Sequence, residues 1–287
     1  EPENPVVIGG YTGPPEGREY VEDYAAHHMR MGWYNWMPTK ERMEELGVKL
    51  LMFRGGVKRR LKQAEERGLT PEDYAFIIKD EPTATSEKKL QPYIKGAQRV
   101  HELNPDARVC FNPGEGAKLK TFQILDPYCE MWMPYAIHRV YHPRTAPKKK
   151  TIFTKKPWLW YTTPCYGDKK PSMPSRMYGN IRSVPRQPGK CIGFSFFAFY
   201  YPFRDAWDTA HEYLPDASVV VLPSRHGPVP TLAWEAIREA INHTDLALMV
   251  EERAAKDDEN ARKLIHKGKV RDLLHWLELH PRAGKEQ

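Results

Sequence analysis

The sequence predicts an α/β fold, a (β/α)8 TIM-type barrel with a C-terminal helical extension. Three observations predict it. Short apolar runs alternate with helical patterns, which argues for a parallel sheet. About eight such units follow one another, which argues for closure into a barrel. The length of 287 residues suits a fold that usually needs roughly 250. A doubly wound open sheet is the runner-up. It is disfavoured because Gly9-Gly10-Tyr11-Thr12-Gly13, after the first strand, is not a G-x-G-x-x-G turn. The expected division is residues 1–255 for the barrel and 256–287 for the extension.

In chain order, Val6 to Tyr11 reads as the first strand, and Thr12 to Gly17 as a Pro- and Gly-rich turn. Arg18 to Arg30 is a helix that Gly32 closes. Trp33 to Trp36 is an aromatic strand, and Pro38 opens a helix that ends at Gly47. Val48 to Phe53 is a strand finishing at Arg54-Gly55-Gly56, and Val57 to Arg67 a helix closed by Gly68. Tyr74 to Pro82 is the next strand. Ser86 to Leu103 is a long helix with Leu90, Tyr93, Ile94, Ala97 and Val100 on one face. Ala107 to Phe111 is a strand leading to Asn112-Pro113-Gly114, followed by a helix over Ala117 to Ile124. Cys129 to Met133 and Trp158 to Tyr161 are strands separated by a long irregular stretch. Ser172 to Ser183 is helical, and Cys191 to Phe199 is the last strand of the series. Ala217 to Leu222 is a further apolar run, and Pro223 to Pro230 a turn-rich loop. Thr231 to Glu252 is a long helix that closes the barrel, and Asp257 to Leu279 adds one or two more.

The charge is +7, partly from Lys148-Lys149-Lys150 with Lys155-Lys156. A solvated loop accounts for that cluster, and nothing matches a nucleic-acid-binding motif. No apolar run approaches the ~20 residues of a membrane span. Cys110, Cys129, Cys165 and Cys191 have neither C-x-x-C nor metal-ligand spacing, so no metal site, no cofactor and no essential disulfide are expected. The chain begins with Glu1 rather than Met, which is expected of a processed or trimmed product and leaves the compartment open.

The chemistry centres on Tyr-Ala-Phe-Ile-Ile-Lys-Asp-Glu-Pro, residues 74–82. An apolar strand runs into adjacent carboxylates, Asp80 and Glu81, and Pro82 stops the ladder because it has no N–H. In a parallel barrel the carboxyl edge of the strands is where active sites form. An acid after a strand is also a common helix cap, so spacing alone leaves the two readings near even. The other strand ends supply Tyr11, Trp36, Arg54, Asn112, Trp132, Tyr135, Trp160, Tyr161, Tyr200 and Trp207. Aromatics, amides and carboxylates together suit a sugar, whose C–H faces stack on rings and whose hydroxyls need fixed partners. About half of these side chains are equally compatible with packing alone. The substrate-binding set expected is Arg54, Asn112, Trp132, Tyr135, Trp160, Tyr161, Tyr200 and Trp207.

An ordinary glycosidase places its two carboxyl groups on different strand ends. Here no second partner is evident: Asp168 sits in a loop, Glu130 begins its strand, and Asp205 and Asp208 are remote. Neighbours on one extended segment point to opposite sides. They fit a division of labour in which Glu81 protonates the glycosidic oxygen and Asp80 orients a group of the substrate that attacks.

The Lys-Asp-Glu-Pro strand end, the run Gly193 to Tyr200, Asp205-Ala206-Trp207 and the segment Gly227 to Glu239 together resemble the catalytic barrel of glycoside hydrolase family 123. The resemblance covers most of the chain and is most specific in its last third. It implies a β-N-acetylgalactosaminidase using the substrate's own acetamido group, with Asp80 holding the acetamido nitrogen and Glu81 acting as acid and then base. Ala233 and Asn242-His243-Thr244 depart from the family's pattern. An oligosaccharide or glycoconjugate is the expected partner, and an extracellular or periplasmic location goes with it. Two other classes stay open: a glycosidase of different specificity pairing Glu81 with a second carboxylate, and a non-catalytic carbohydrate-binding barrel.

Overall fold

The computed structural model describes residues 1–10, 18–33, 37–114, 116–134, 155–162, 173–186, 190–196, 221–224, 227–256 and 258–266. Eight strands form one sheet: β1 (Val7–Gly10), β2 (Met31–Trp33), β3 (Leu50–Arg54), β4 (Tyr74–Ile77), β5 (Arg108–Phe111), β6 (Met131–Trp132), β7 (Trp158–Thr162) and β8 (Cys191–Phe196). Their spatial order is β1-β8-β7-β6-β5-β4-β3-β2, and every pair is parallel. The helices between them are α1 (Arg18–Ala26), α2 (Lys40–Glu45), α3 (Val57–Glu66), α4 (Glu87–Leu103), α5 (Leu119–Leu125) and α6 (Met173–Ser183). This is the nearly closed (β/α)8 barrel that the alternation predicts.

The strand period of two sorts side chains into two cores. Trp33, Met52, Ala75, Ile77, Cys110, Met131, Met133 and Leu159 pack with one another inside the barrel, in a cluster that holds no helix residue among the described ones. Phe53, Tyr74, Phe76, Val109, Phe111, Trp132, Trp158, Trp160 and Phe194 face outward onto helix residues such as Leu90, Ile94, Phe122 and Trp234. Strands buried on both faces read as unbroken apolar runs, which is what parallel sheets show.

β1 and β2 are the two ends of the sheet order, so the ladder stops between them. The Arg30 N–H donates to the Ile8 carbonyl at 2.8 Å. Next to it a side chain bridges the seam: the Tyr24 hydroxyl donates to the Met31 carbonyl at 2.5 Å and accepts from the Gly10 N–H at 3.2 Å. Gly9 is required here, because an added Cβ would overlap the Met31 carbonyl. Burial pushes the Tyr24 phenol well above its ordinary range.

Several boundaries differ from the sequence reading. α1 ends at Ala26 rather than Arg30, and His28 turns the chain at φ 55°. β2 therefore begins at Met31 and includes Gly32, which was expected as a cap. The buried Arg30 closes that turn, donating to Val6 O at 3.1 Å and to Asp245 Oδ2 at 2.5 Å. Residues 221–230, read as a run and a loop, hold an antiparallel hairpin of β9 (Val221–Ser224) and β10 (Gly227–Pro230). Its strands carry Pro223, Pro228 and Pro230, which hid it. Thr231 caps α7 (Leu232–Ala255), its Oγ1 accepting from the Trp234 N–H at 3.3 Å. Trp234 docks that helix on α1, donating to Asp23 Oδ2 at 2.8 Å and stacking on His27 at 4.2 Å. α8 (Glu259–His266) is the described part of the expected extension.

Candidate active site

β4 ends at Ile77, earlier than expected, and the chain bends over Lys79 and Asp80. Glu81 then adopts a left-handed backbone, φ 45°. The expectation that both carboxylates continue an extended strand is therefore corrected. Such a conformation is uncommon for a residue with a Cβ and costs roughly 1–3 kcal/mol, so its surroundings must hold it.

Those surroundings come from the strands on either side. Arg54 and Ile77 are register partners, and so are Ile77 and Cys110. Arg54 and Asn112 continue the inward parity of Met52 and Cys110, so they end β3 and β5 at the rim flanking β4. Arg54 Nη1 lies 3.2 Å from Asp80 Oδ2. Asn112 Nδ2 donates to Asp80 Oδ1, and Asn112 Oδ1 accepts from the Glu81 N–H at 3.4 Å. The Tyr93 hydroxyl on α4 donates to the Asp80 carbonyl at 3.1 Å. Burial, then the negative charges of Asp80 and Glu81, hold the Tyr93 phenol above its ordinary range. Lys79 lies over the Tyr93 ring at 5.6 Å.

The loop that follows is also tied down. Pro82 is buried. Thr121 on α5 donates to the Ala84 carbonyl at 2.8 Å. Gly114 leaves the room that Glu81 uses: a Cβ there would stand 3.0 Å from Glu81 Cβ and 3.4 Å from Glu81 Oε2. Glu81 itself is exposed, and Asp80 and Arg54 are partly so.

The structure thus brings together four of the expected site residues, Arg54, Asp80, Glu81 and Asn112. It separates two others. Trp132 is fully buried between sheet and helices, its ring 5.1 Å from Phe122 and 6.1 Å from Phe111. Trp160 packs edge-on against Phe194 at 5.6 Å in the same layer. Met131, Met133 and Leu159 take the inward positions of those strands, so the period of two sends both tryptophans outward. Their substrate-binding role is withdrawn. Tyr161 lies on β7, its side chain outside the described residues, as are Tyr11, Trp36, Tyr135, Tyr200, Trp207, Asp168, Asp205 and Asp208. Glu130 stands at the other end of the barrel, accepting from the Val109 N–H at 2.8 Å.

Tyr93 and Gly114 were not singled out as site residues. Tyr93 counted only as part of the apolar face of its helix. A tyrosine there, about two turns into the helix that follows the acid pair, was the available signal, because a partly buried phenol needs a partner. Among the described residues no three His, Cys, Asp or Glu side chains gather to hold a metal ion, and no helix is long and apolar enough to cross a membrane. A cavity of about 550 Å³ opens at the opposite, N-terminal end of the strands, lined in part by Val7, Leu50, Arg108 and Ile192. Arg108 spends its donors there on the Pro71, Glu72 and Tyr74 carbonyls, which is a structural use.

No protein-family model matches the chain, and no curated protein matches it in sequence. Solved structures do match. A GH2 β-galacturonidase from Eisenbergiella tayi superposes with a TM-score of 0.57 at 14% identity, over 83% of this chain and 51% of that one. An α-L-arabinofuranosidase from Thermotoga maritima gives 0.54 at 10% identity, over 84% of this chain and 71% of that one. The chain resembles them in its barrel. A β-D-glucuronidase for Dictyoglomus thermophilum gives 0.50 at 10% identity, over 84% and 51%. The chain thus spans about half the length of the galacturonidase and the glucuronidase. At such identities the likeness is one of fold.

Proposed function

We propose that this chain is the catalytic barrel of a retaining glycoside hydrolase that cleaves β-linked N-acetylgalactosamine with the help of the substrate's own acetamido group. The observation that carries the reading is the unequal treatment of two adjacent acids at the carboxyl rim. Asp80 receives the Arg54 guanidinium and the Asn112 amide, whereas Glu81 is exposed and its backbone N–H donates to Asn112 Oδ1. β3 finishes at Arg54-Gly55-Gly56 and β5 at Asn112-Pro113-Gly114, after which comes Glu115, a residue outside the described ones.

In this reading the acetamido oxygen attacks the anomeric carbon as the glycosidic C–O bond breaks. Glu81 gives its proton to the departing oxygen. Asp80 accepts a hydrogen bond from the acetamido N–H and stabilises the positive charge of the oxazolinium-like intermediate. A carboxylate has about four lone-pair sites, and Arg54 and Asn112 meet one oxygen each. Water then opens the intermediate, giving its proton to Glu81. The glycosidases whose barrels this one resembles support the reaction class, not the sugar. The family 123 resemblance, carried by Lys79 to Pro82 and Gly227 to Glu239, supports the sugar. Such glycans go with an extracellular or periplasmic location.

The test is nitrophenol release from 4-nitrophenyl β-N-acetylgalactosaminide, β-N-acetylglucosaminide and β-galactoside by wild type, Glu81→Gln and Asp80→Asn. Hydrolysis confined to 2-acetamido sugars, and lost in both variants, is the expected result. Hydrolysis of the plain galactoside would rule out acetamido participation.

A further inference from the structure

We propose that Asn112 is the positioning residue that sets both carboxylates at once, fixing Asp80 through its side chain and Glu81 through its backbone. The inference rests on the reading above for its effect on rate, but its structural content stands on geometry alone.

One amide has two ends, and here they serve different partners. The Nδ2 end donates to Asp80 Oδ1 and the Oδ1 end accepts from the Glu81 N–H. The orientation has one solution, because a carboxylate only accepts and a peptide N–H only donates. Asn112 is 1% exposed, so water does not compete for either end. Its own position is set by β5, where Cys110 pairs with Ile77 on β4 and with Met131 on β6. The Asn112 amide therefore carries the register of a central strand into the bend above its neighbour.

The clamp holds the Asp80–Glu81 peptide, the plane from which the chain turns left-handed at Glu81. With that peptide held, relaxing φ from 45° to an ordinary value would swing the Glu81 side chain and the chain after it away from the space over Gly114. The two acids would then revert toward the alternation of a strand, which turns adjacent side chains apart. Arg54 cannot replace this function, since guanidinium has no acceptor for the Glu81 N–H.

The experiment uses the full chain with Asn112→Ala and the near-isosteric Asn112→Asp. The first readout is a crystal structure of each variant, independent of activity. Glu81 should leave the left-handed region in Asn112→Ala, and retention of φ near 45° would overturn the proposal. The second readout is kcat, KM and their pH dependence on 4-nitrophenyl β-N-acetylgalactosaminide. Asn112→Ala should lose about tenfold to hundredfold in kcat, the size expected for a charge-assisted hydrogen bond, with KM changed less than about threefold. In Asn112→Asp a protonated carboxyl can still donate to Asp80 while an ionised one repels it, so activity should survive only on the acidic side of the wild-type optimum. An unchanged kcat, or a pH profile that does not move in Asn112→Asp, would overturn the proposal. If wild type hydrolyses no 2-acetamido glycoside, the proposed function fails and the Glu81 backbone still decides the role of Asn112.

Discussion

The Tyr24 hydroxyl sits where the barrel has no ladder, and removing it alone is a direct test of how the seam closes. Tyr24→Phe keeps the ring, including its stacking with Trp234 at 6.1 Å, so it opens no cavity. What it removes is a donor to the Met31 carbonyl and an acceptor for the Gly10 N–H. Each buried polar group left without its partner costs about 1–3 kcal/mol, so the pair costs about 2–4 kcal/mol once some relaxation is allowed. For a chain of this size that is a fall in Tm of roughly 5–15 °C. Urea denaturation should show a lower midpoint at an unchanged m-value. The pH dependence adds a second check. Burial holds the folded phenol above its ordinary range, while the unfolded chain ionises near ~10. Folded protein then binds the extra proton, so wild type loses stability from this group above pH ~10, and the gap between wild type and Tyr24→Phe should narrow there. A loss under about 0.5 kcal/mol at neutral pH would refute the reasoning, because the seam would then close equally well without the hydroxyl.

Two further predictions concern the loops that set the strands. Asp73 accepts from Lys40 Nζ at 2.6 Å, from the Thr70 N–H at 2.8 Å and from Thr70 Oγ1 at 3.0 Å. Burial alone would raise its carboxyl, but these donors outweigh burial and hold it below the usual range. Asp73→Asn should cost about 1 kcal/mol at pH 7, discounted because Lys40 is partly exposed. A depressed pKa contributes stability above the unfolded value of ~3.9 and loses it as pH falls through the folded value, so the penalty should begin to shrink below pH ~4 and go on shrinking as the pH is lowered; urea midpoints from pH 7 down to about 2 measure this. Gly114→Ala would place a Cβ 3.0 Å from Glu81 Cβ and 3.3 Å from Thr83 Cγ2, forcing shifts of a few tenths of an ångström. Because misplacement on this scale misaligns a proton donor, kcat for the acetamido glycoside should fall about tenfold to hundredfold while stability changes by about 1 kcal/mol or less.

The barrel was legible because its signal is repeated. Each strand is an apolar run, each helix has a face such as Leu90, Ile94, Ala97 and Val100, and glycines punctuate the exits. The acid pair was legible because it is local. What the sequence hid was parity. In Met131-Trp132-Met133 and Trp158-Leu159-Trp160 every residue is apolar, so nothing in the string says which face looks inward. Only the register against neighbouring strands puts the methionines and Leu159 inside and sends the tryptophans out. The β2 boundary was hidden for a related reason. Gly32 reads as a helix cap, yet it lies in a strand because His28 has already turned the chain. Tyr93 was hidden because its ring obeys the helix's apolar pattern while its hydroxyl reaches the Asp80 carbonyl.

The same distinction between local and long-range information explains the site. Sequence proximity supplies two carboxylates, but proximity alone makes them equivalent, and equivalent neighbours would share one environment. The sheet breaks that equivalence. Arg54 and Asn112 stand 26 and 32 residues from Asp80 along the chain, and reach it only because β3 and β5 are the two strands that flank β4. Both direct their donors at the first acid, and the bend that follows presents the second to solvent. A group that must stabilise positive charge needs fixed partners, whereas a group that must give and retake a proton needs access to the leaving oxygen and to water. In the proposed mechanism the first condition falls to Asp80, which Arg54 and Asn112 hold, and the second to the exposed Glu81.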